Sequence, residues 1–125
     1  MIGLDTNVLV RYLAQDDATQ SAHATRIIER QLTERNPGFI SLVTIAETVR
    51  VLARLYGLSN REVAAAVERI LQAETLLVQN EQQAFTAMIA LKTGTGSFSD
   101  ALICALGDWA GCTATLTFDE KAKRL

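Results

Sequence analysis

The order of apolar and polar positions along the 125-residue chain predicts strands that alternate with helices. Short apolar runs are followed by longer stretches in which apolar side chains recur three or four positions apart, the spacing of one helix face. Strands are predicted at residues 1–4, 39–42, 75–78 and 113–118. Strands that alternate with helices form a parallel sheet covered on both faces. The pattern therefore predicts one α/β domain with a central parallel sheet of about four strands.

Capping and turn residues mark where the helices between these runs begin. Ser, Thr, Asp and Asn accept hydrogen bonds from the free backbone amides of a first helical turn. On this basis, helices are predicted to begin after Asp5, at Asp16 or Asp17, at Thr44, at Ser59, at Asn80, and at Ser99 or Asp100.

Composition and charge narrow the class of protein. With 49% hydrophobic residues, a chain of this length can bury a core without disulfides. No stretch approaches the roughly 18 apolar residues of a membrane span, and the apolar N-terminus lacks the basic flank of a secretory signal, so we expect a cytoplasmic protein. The net charge of −2 argues against a protein that coats nucleic acid, but it is compatible with an enzyme that acts on RNA.

Basic residues are scattered along the chain. Candidates for contacts with RNA phosphates or with an acidic partner are Arg11, Arg50, Arg54 and Lys92. Scattered basic residues more often form only a solvated surface, so the pattern defines no RNA-binding face.

Four acidic residues fall where a predicted strand ends or a predicted helix begins: Asp5, Glu47, Asp100 and Asp119. Open α/β sheets bind ligands at the carboxyl ends of their strands, so acids in this register are expected to converge. Carboxylates suit Mg²⁺ or Mn²⁺, whereas zinc usually recruits His or Cys, and the chain has one His. Four neighbouring carboxylates would repel one another without a cation. The pattern predicts a site for a divalent metal.

Each of these acids also has a structural explanation when it is taken singly. Helix N-termini favour Asp and Glu through capping and through the helix dipole. Asp5 and Asp100 would then begin helices, and Asp119 would end a strand in solvent. Thr44 and Glu47 have the spacing of a capping box. The metal interpretation rests on the joint placement of the four acids.

Four segments resemble the PIN-domain family, and within it the VapC-type toxin ribonucleases of bacterial toxin–antitoxin modules. They are residues 2–9 (IGLDTNVL), 44–52 (TIAETVRVL), 97–103 (SFSDALI) and 116–119 (LTFD), in the order and spacing of the family. The resemblance implies a PIN-like α/β/α sandwich over residues 1–125. It also implies an endoribonuclease that depends on Mg²⁺ or Mn²⁺.

The resemblance implies a role for each acid. Asp5, Asp100 and Asp119 would hold the metal directly or through water. Glu47 would bind a metal or orient the attacking water, and the products would be a 3′-hydroxyl and a 5′-phosphate. Many relatives carry a further acid where this chain has Lys121, which leaves open whether the resting site holds one metal or two.

The resemblance also implies supporting residues and partners. Thr6, Asn7 and Thr117 are expected to orient the carboxylates, as neighbours of metal ligands commonly do. The implied partners are an RNA substrate, an antitoxin of VapB type and a second copy of the chain in a homodimer.

Two alternatives to a nuclease remain open at this point. A phospho-acceptor domain of response-regulator type needs an Asp at the end of a central strand, where this chain has Leu42, Val43 and Thr44. A non-catalytic PIN module that binds RNA or protein would keep the same fold and the same acids.

Overall fold

A computed structural model describes residues 1–119 of the chain, so Lys121 lies outside the described residues. Within this range the strands are β1 (Ile2–Gly3), β2 (Gly38–Ile40) and β3 (Leu76–Val78). The helices are α1 (Thr6–Ala14), α2 (Ala18–Arg26), α3 (Leu42–Arg54), α4 (Asn60–Gln72), α5 (Glu81–Thr93) and α6 (Phe98–Trp109). A π-helical segment, Ile27–Gln31, continues α2.

The strands form one parallel sheet flanked by helices, which confirms the predicted α/β class. β2 is the central strand and pairs in parallel with β1 on one side and with β3 on the other. In this register Phe39 lies opposite Gly3 on β1 and opposite Leu77 on β3. β1 and β3 are therefore the two edges of the sheet in residues 1–119.

The predicted fourth strand is wrong for the described residues. Residues 113–118 alternate threonine with apolar residues, but they form no strand. Leu116 is 94% exposed and Phe118 is 102% exposed, so neither side chain is buried against another part of the protein. A strand needs a partner edge and a buried face, and the alternation alone supplies neither. The described sheet has three strands instead of about four.

The predicted start of α3 is also wrong, because a serine caps this helix earlier than expected. Ser41 Oγ accepts a hydrogen bond from the amide of Thr44 at 3.2 Å, so α3 begins at Leu42 and β2 ends at Ile40. Glu47 therefore lies in the second turn of α3. The capping box predicted between Thr44 and Glu47 is wrong.

Three other predicted caps are confirmed. Asp5 caps α1, and its side chain accepts a hydrogen bond from the amide of Thr6. Asp17 caps α2. Ser59 and Glu62 form the reciprocal capping box at the start of α4.

The core lies where the helices meet the sheet. α1 packs against α2 and α3, α3 also contacts α4 and α6, and α5 packs against both α4 and α6. The largest buried side chains include Leu9, Ile40, Ile45, Leu52 and Met88. Burying one such side chain typically contributes about 1.5–3 kcal/mol. Among the helices of residues 1–119, none combines the length and the apolar character that crossing a membrane requires.

Candidate functional site

A cleft of about 300 Å³ lies between the start of α1 and one face of α3. We call it the acidic cleft, because both Asp5 and Glu47 line it. The full lining is Asp5, Thr6, Asn7, Val10, Arg11, Glu47, Val51, Leu55 and Tyr56. Both acids are exposed to solvent. The structure thus brings together the first two of the four predicted site residues.

Asp5 lies at the carboxyl end of β1, and its contacts hold it in place. It follows β1 through the buried Leu4 and adopts an extended backbone conformation before α1 begins. Its Oδ1 accepts a hydrogen bond of 2.7 Å from the amide of Thr6. Its Oδ2 accepts no hydrogen bond from residues 1–119 and retains its lone pairs for a ligand.

Glu47 lies on α3, a helix that packs against the core through its buried face. Its neighbour Thr48 is buried, whereas Glu47 shares the cleft with Val51 and Leu55, which follow at intervals of one helical turn. The Glu47 carboxylate forms neither a hydrogen bond nor an ion pair with any residue of the described chain. Glu47 therefore does not act as a helix cap.

Asp100 lies in the first turn of α6. Ser97 caps this helix and accepts a hydrogen bond of 3.1 Å from the amide of Asp100, so α6 begins at Phe98 and the predicted start at Ser99 or Asp100 is wrong. Asp100 is half-buried, and α6 packs against α3, but Asp100 is not among the residues that line the acidic cleft.

Asp119 is exposed at the end of the described chain. The Asp119 amide donates a hydrogen bond of 3.0 Å to the hydroxyl of Thr117. Because residues 113–118 form no strand, the expectation that Asp119 closes a strand is wrong, and Asp119 does not line the acidic cleft.

The predicted cluster of four acids is not assembled in the described part of the chain. Within residues 1–119, no three residues of the types His, Cys, Asp and Glu are grouped as a metal site requires. Two carboxylates in one cleft nevertheless suit Mg²⁺, which keeps several waters and often binds through one or two carboxylates together with substrate phosphate. Asp5 and Glu47 are the residues whose chemistry fits such an ion.

The three predicted supporting residues have different surroundings. Thr6 and Asn7 both line the acidic cleft, but Thr6 is buried and contacts Asp5 through its backbone amide, whereas Asn7 is exposed. Thr117 is half-buried and contacts Asp119 through its hydroxyl.

A polar network on the wall of the acidic cleft was not predicted. Arg11 Nη1 donates to Asp16 at 3.0 and 3.1 Å and to the hydroxyl of Tyr56 at 3.3 Å, and Arg11 Nε donates to Gln20 at 2.7 Å. The Tyr56 hydroxyl donates to Asp16 at 2.7 Å. The pairing of α1 with a tyrosine 45 positions later has no signal in the sequence.

The network shifts the ionisation of its members. The hydrogen bond from Tyr56, followed by that from Arg11, lowers the pKa of Asp16 below its ordinary value. The same hydrogen bonds raise the pKa of Arg11 and of Tyr56. These shifts of pKa favour a charged Arg11, a charged Asp16 and a neutral Tyr56. Four basic residues were candidates for RNA contacts: Arg11, Arg50, Arg54 and Lys92. Among them, Arg11 lines the acidic cleft and the other three do not.

The fold and the cleft define an α/β protein with a carboxylate-lined site at the carboxyl end of β1. The sequence profile of the PIN domain matches residues 2–125, so the chain belongs to the PIN-domain family, whose members are typically nucleases. Comparisons with curated proteins and with solved structures gave no significant match.

Proposed function

We propose that this PIN domain is a Mg²⁺- or Mn²⁺-dependent endoribonuclease and the toxin of a VapC-type toxin–antitoxin module. The observation that carries the proposal is the acidic cleft. Asp5 and Glu47 are far apart in sequence, yet they line one cleft and are exposed to solvent there. Glu47 has no protein partner in residues 1–119 that would explain it structurally.

Asp5 and Glu47 would hold the divalent ion in this cleft. When bound there, the ion would stabilise negative charge on the phosphoryl group and lower the pKa of water. The amide of Thr6 keeps the Asp5 carboxylate in place through Oδ1, which leaves Oδ2 for the ion. Glu47 stands on a helix with a buried face, which holds its backbone at the cleft, and its carboxylate is available to orient water.

The reaction is hydrolysis of a phosphodiester bond. A carboxylate oxygen of Glu47 accepts a hydrogen bond from the attacking water and directs the water oxygen towards phosphorus. The new bond joins this oxygen to phosphorus, and the bond from phosphorus to the 3′ oxygen breaks. The attacking water releases one proton through Glu47 to solvent, and the 3′ oxygen takes up one proton from solvent, which leaves a 3′-hydroxyl and a 5′-phosphate.

Asp100 and Asp119 are proposed to complete the site. Asp100 is carried by α6, which packs against the helix that carries Glu47. Asp119 ends the fourth segment that resembles the family, and the family match extends beyond it to residue 125. Thr6, Asn7 and Thr117 are proposed to support these carboxylates.

The proposal includes partners and a location. The antitoxin would be of VapB type and would cover the acidic cleft, and enzyme and antitoxin would meet the RNA in the cytoplasm. A homodimer is supported by large apolar side chains that are exposed on α5 and α6, since such side chains favour interfaces. These side chains are Phe85, Ile89, Ile103 and Trp109.

The test is cleavage of total cellular RNA by purified protein that is free of antitoxin. The protein is incubated with Mg²⁺, with Mn²⁺ and with EDTA, and the new RNA ends are mapped by sequencing. Asp100→Asn should abolish cleavage and leave the fold intact. Asp108→Asn, the same change on an exposed part of the same helix, is the matched control and should cleave normally.

Discrete cuts that need metal, carry 5′-phosphates and disappear in Asp100→Asn alone would support the proposal. Equal cutting by both variants would refute the assignment of the site. No cutting by a folded protein in the presence of metal would instead favour a PIN module that binds RNA or protein without catalysis.

A further inference from the structure

Arg11 lies between the acidic cleft and a second cleft. The second cleft has a volume of about 470 Å³ and lies between α1 and α2, and we call it the α1–α2 cleft. It is lined by Asn7, Val8, Arg11, Gln20, His23, Ala24 and Ile27. Asn7 and Arg11 line both clefts. A ligand that extends from one cleft to the other would lie beside these two residues.

Hydrogen bonds hold the Arg11 guanidinium in one orientation. A guanidinium has five N–H donors in one plane. Nε donates to Gln20, and Nη1 donates to Asp16 and Tyr56. The two donors of Nη2 have no acceptor among residues 1–119. Nε and Nη1 are therefore held by protein acceptors, and Nη2 remains available for a ligand.

The ion pair between Arg11 and Asp16 contributes little to the stability of the protein. The side chains of Arg11 and Asp16 are 33% and 38% exposed, and pairs exposed to this degree contribute little. The main consequence of the network is the orientation of Nη2. Among the residues that line the acidic cleft, Arg11 is the only basic one, beside two carboxylates that would repel an RNA strand.

We propose that Arg11 Nη2 binds a phosphate of the RNA strand and holds the strand between the acidic cleft and the α1–α2 cleft. Arg11 is then a substrate-binding residue, and Asp16, Gln20 and Tyr56 are positioning residues that act through it. Each N–H group of Nη2 can donate a charge-assisted hydrogen bond to a phosphate oxygen. The inference rests on the proposed nuclease function for the identity of the ligand as RNA.

The first test measures binding of a fluorescently labelled oligouridylate in an Asp5→Asn background, which prevents the proposed cleavage. Arg11→Met should weaken binding about tenfold, the scale of one charge-assisted hydrogen-bonded contact. It should also make the plot of log affinity against log salt concentration shallower by about 0.7, the value for one phosphate contact to single-stranded RNA. Arg61→Met, on α4 and outside both clefts, should change neither quantity.

A second set of variants separates orientation from charge. Asp16→Asn removes a negative charge, so it would tighten RNA binding if Arg11 acted only as a positive charge. We expect it to weaken binding about threefold, the scale of an exposed ion pair, because Arg11 loses its orientation. Tyr56→Phe should act in the same direction. Arg11→Lys should restore the salt dependence but only part of the affinity, since a lysine ammonium lacks the planar group that the network orients.

In cleavage assays without the Asp5 change, Arg11→Met should raise KM and leave kcat nearly unchanged. The inference is overturned if Arg11→Met binds RNA like Arg61→Met, if it alters thermal stability alone, or if Asp16→Asn binds RNA more tightly. Binding that depends on Arg11 in a protein that never cleaves RNA would uphold the inference and refute the nuclease function. If the wild type cleaves RNA and Arg11→Met cleaves it equally well, the nuclease function would be upheld and the inference about Arg11 would be refuted.

Discussion

Two regions that carry the acids of the proposed site differ in how firmly the fold holds them. Asp5 caps α1 and Glu47 lies on α3, two helices that are anchored by fully buried side chains, Leu9 on α1 and Ile45 on α3. Asp119 ends a segment, residues 110–119, in which only Thr117 is even partly buried. The position of Asp5 and Glu47 is thus a consequence of the core, whereas that of Asp119 is not.

This difference bears on how the two regions would serve a metal site. Side chains on packed elements are already in position when the ligand arrives. An exposed segment has little buried surface to hold its position, and fixing the backbone of one residue costs about 1–2 kcal/mol. We therefore expect the acidic cleft to contribute more to metal binding and catalysis than Asp119 does.

The largest expected effect separates the two regions by stability. Leu52→Ala should lower the free energy of unfolding by about 2–5 kcal/mol, because it leaves a cavity in the core beneath the face of α3. Leu116→Ala removes the same atoms from an exposed position, so it should change stability by less than about 0.5 kcal/mol. Urea denaturation measures both values. A comparable loss for Leu116→Ala would show that residues 110–119 are packed in solution.

The second prediction compares the acids themselves. Asp5→Asn and Glu47→Gln should each lower kcat by about 10²–10³-fold, the range seen when one group that stabilises transition-state charge is removed. Asp119→Asn should cost only about tenfold, the lower end of the range for groups that support a metal ligand. Single-turnover cleavage by each folded variant gives these ratios. Equal losses would mean that the C-terminal segment becomes ordered against the cleft during catalysis.

A third, smaller effect concerns the sheet beneath the cleft. A Cβ atom at Gly38 would lie 2.7 Å from Leu32 Cδ1 and 2.9 Å from Leu4 Cδ1. Gly38→Ala should therefore destabilise the protein by about 1–2 kcal/mol, since both leucines are buried and must shift. Gly3→Ala is the control, because a Cβ there meets no atom within 4 Å. Thermal denaturation of the two variants should differ clearly, and equal melting temperatures would contradict the close packing around β2.

The same two regions show what could be predicted from the sequence. The α/β class and the order of the elements were predicted because helical periodicity and caps such as Ser59 are local signals. The strand at residues 113–118 was predicted wrongly, because alternation is local whereas a strand requires a partner edge. The starts of α3 and α6 were missed where two capping residues compete, as Ser41 does with Thr44.

The placement of the candidate site residues was predictable where the strand that precedes them forms. Asp5 and Glu47 were predicted to lie close together, and they line one cleft because each follows a strand that the chain does form. Asp119 was placed by a strand that the described residues do not form. The network of Arg11 was missed because its partner Tyr56 comes from the end of α3, and contact between these helix surfaces is decided by packing.

The smallest expected effect is a pH dependence that arises from this network. The pKa of Asp16 is lowered from 3.8, mainly by the hydrogen bond from Tyr56. A carboxyl group with a lower pKa in the folded state stabilises the protein above its unfolded pKa, and this contribution is lost as the pH falls through the folded pKa. Tyr56→Phe should therefore lower the melting temperature slightly at neutral pH, and the difference should fade as the pH falls below 3.8.

The matched control for this effect is the same change in an Asp16→Asn background. There the carboxyl group is gone, so Tyr56→Phe should shift the melting temperature by an amount that does not change between neutral and acidic pH. A difference that stays constant with pH in both backgrounds would mean that Tyr56 supports the acidic cleft through packing. A difference in melting temperature that fades only when Asp16 is present would show that Tyr56 acts through the ionised Asp16 carboxylate. The same carboxylate accepts the hydrogen bonds that orient Arg11.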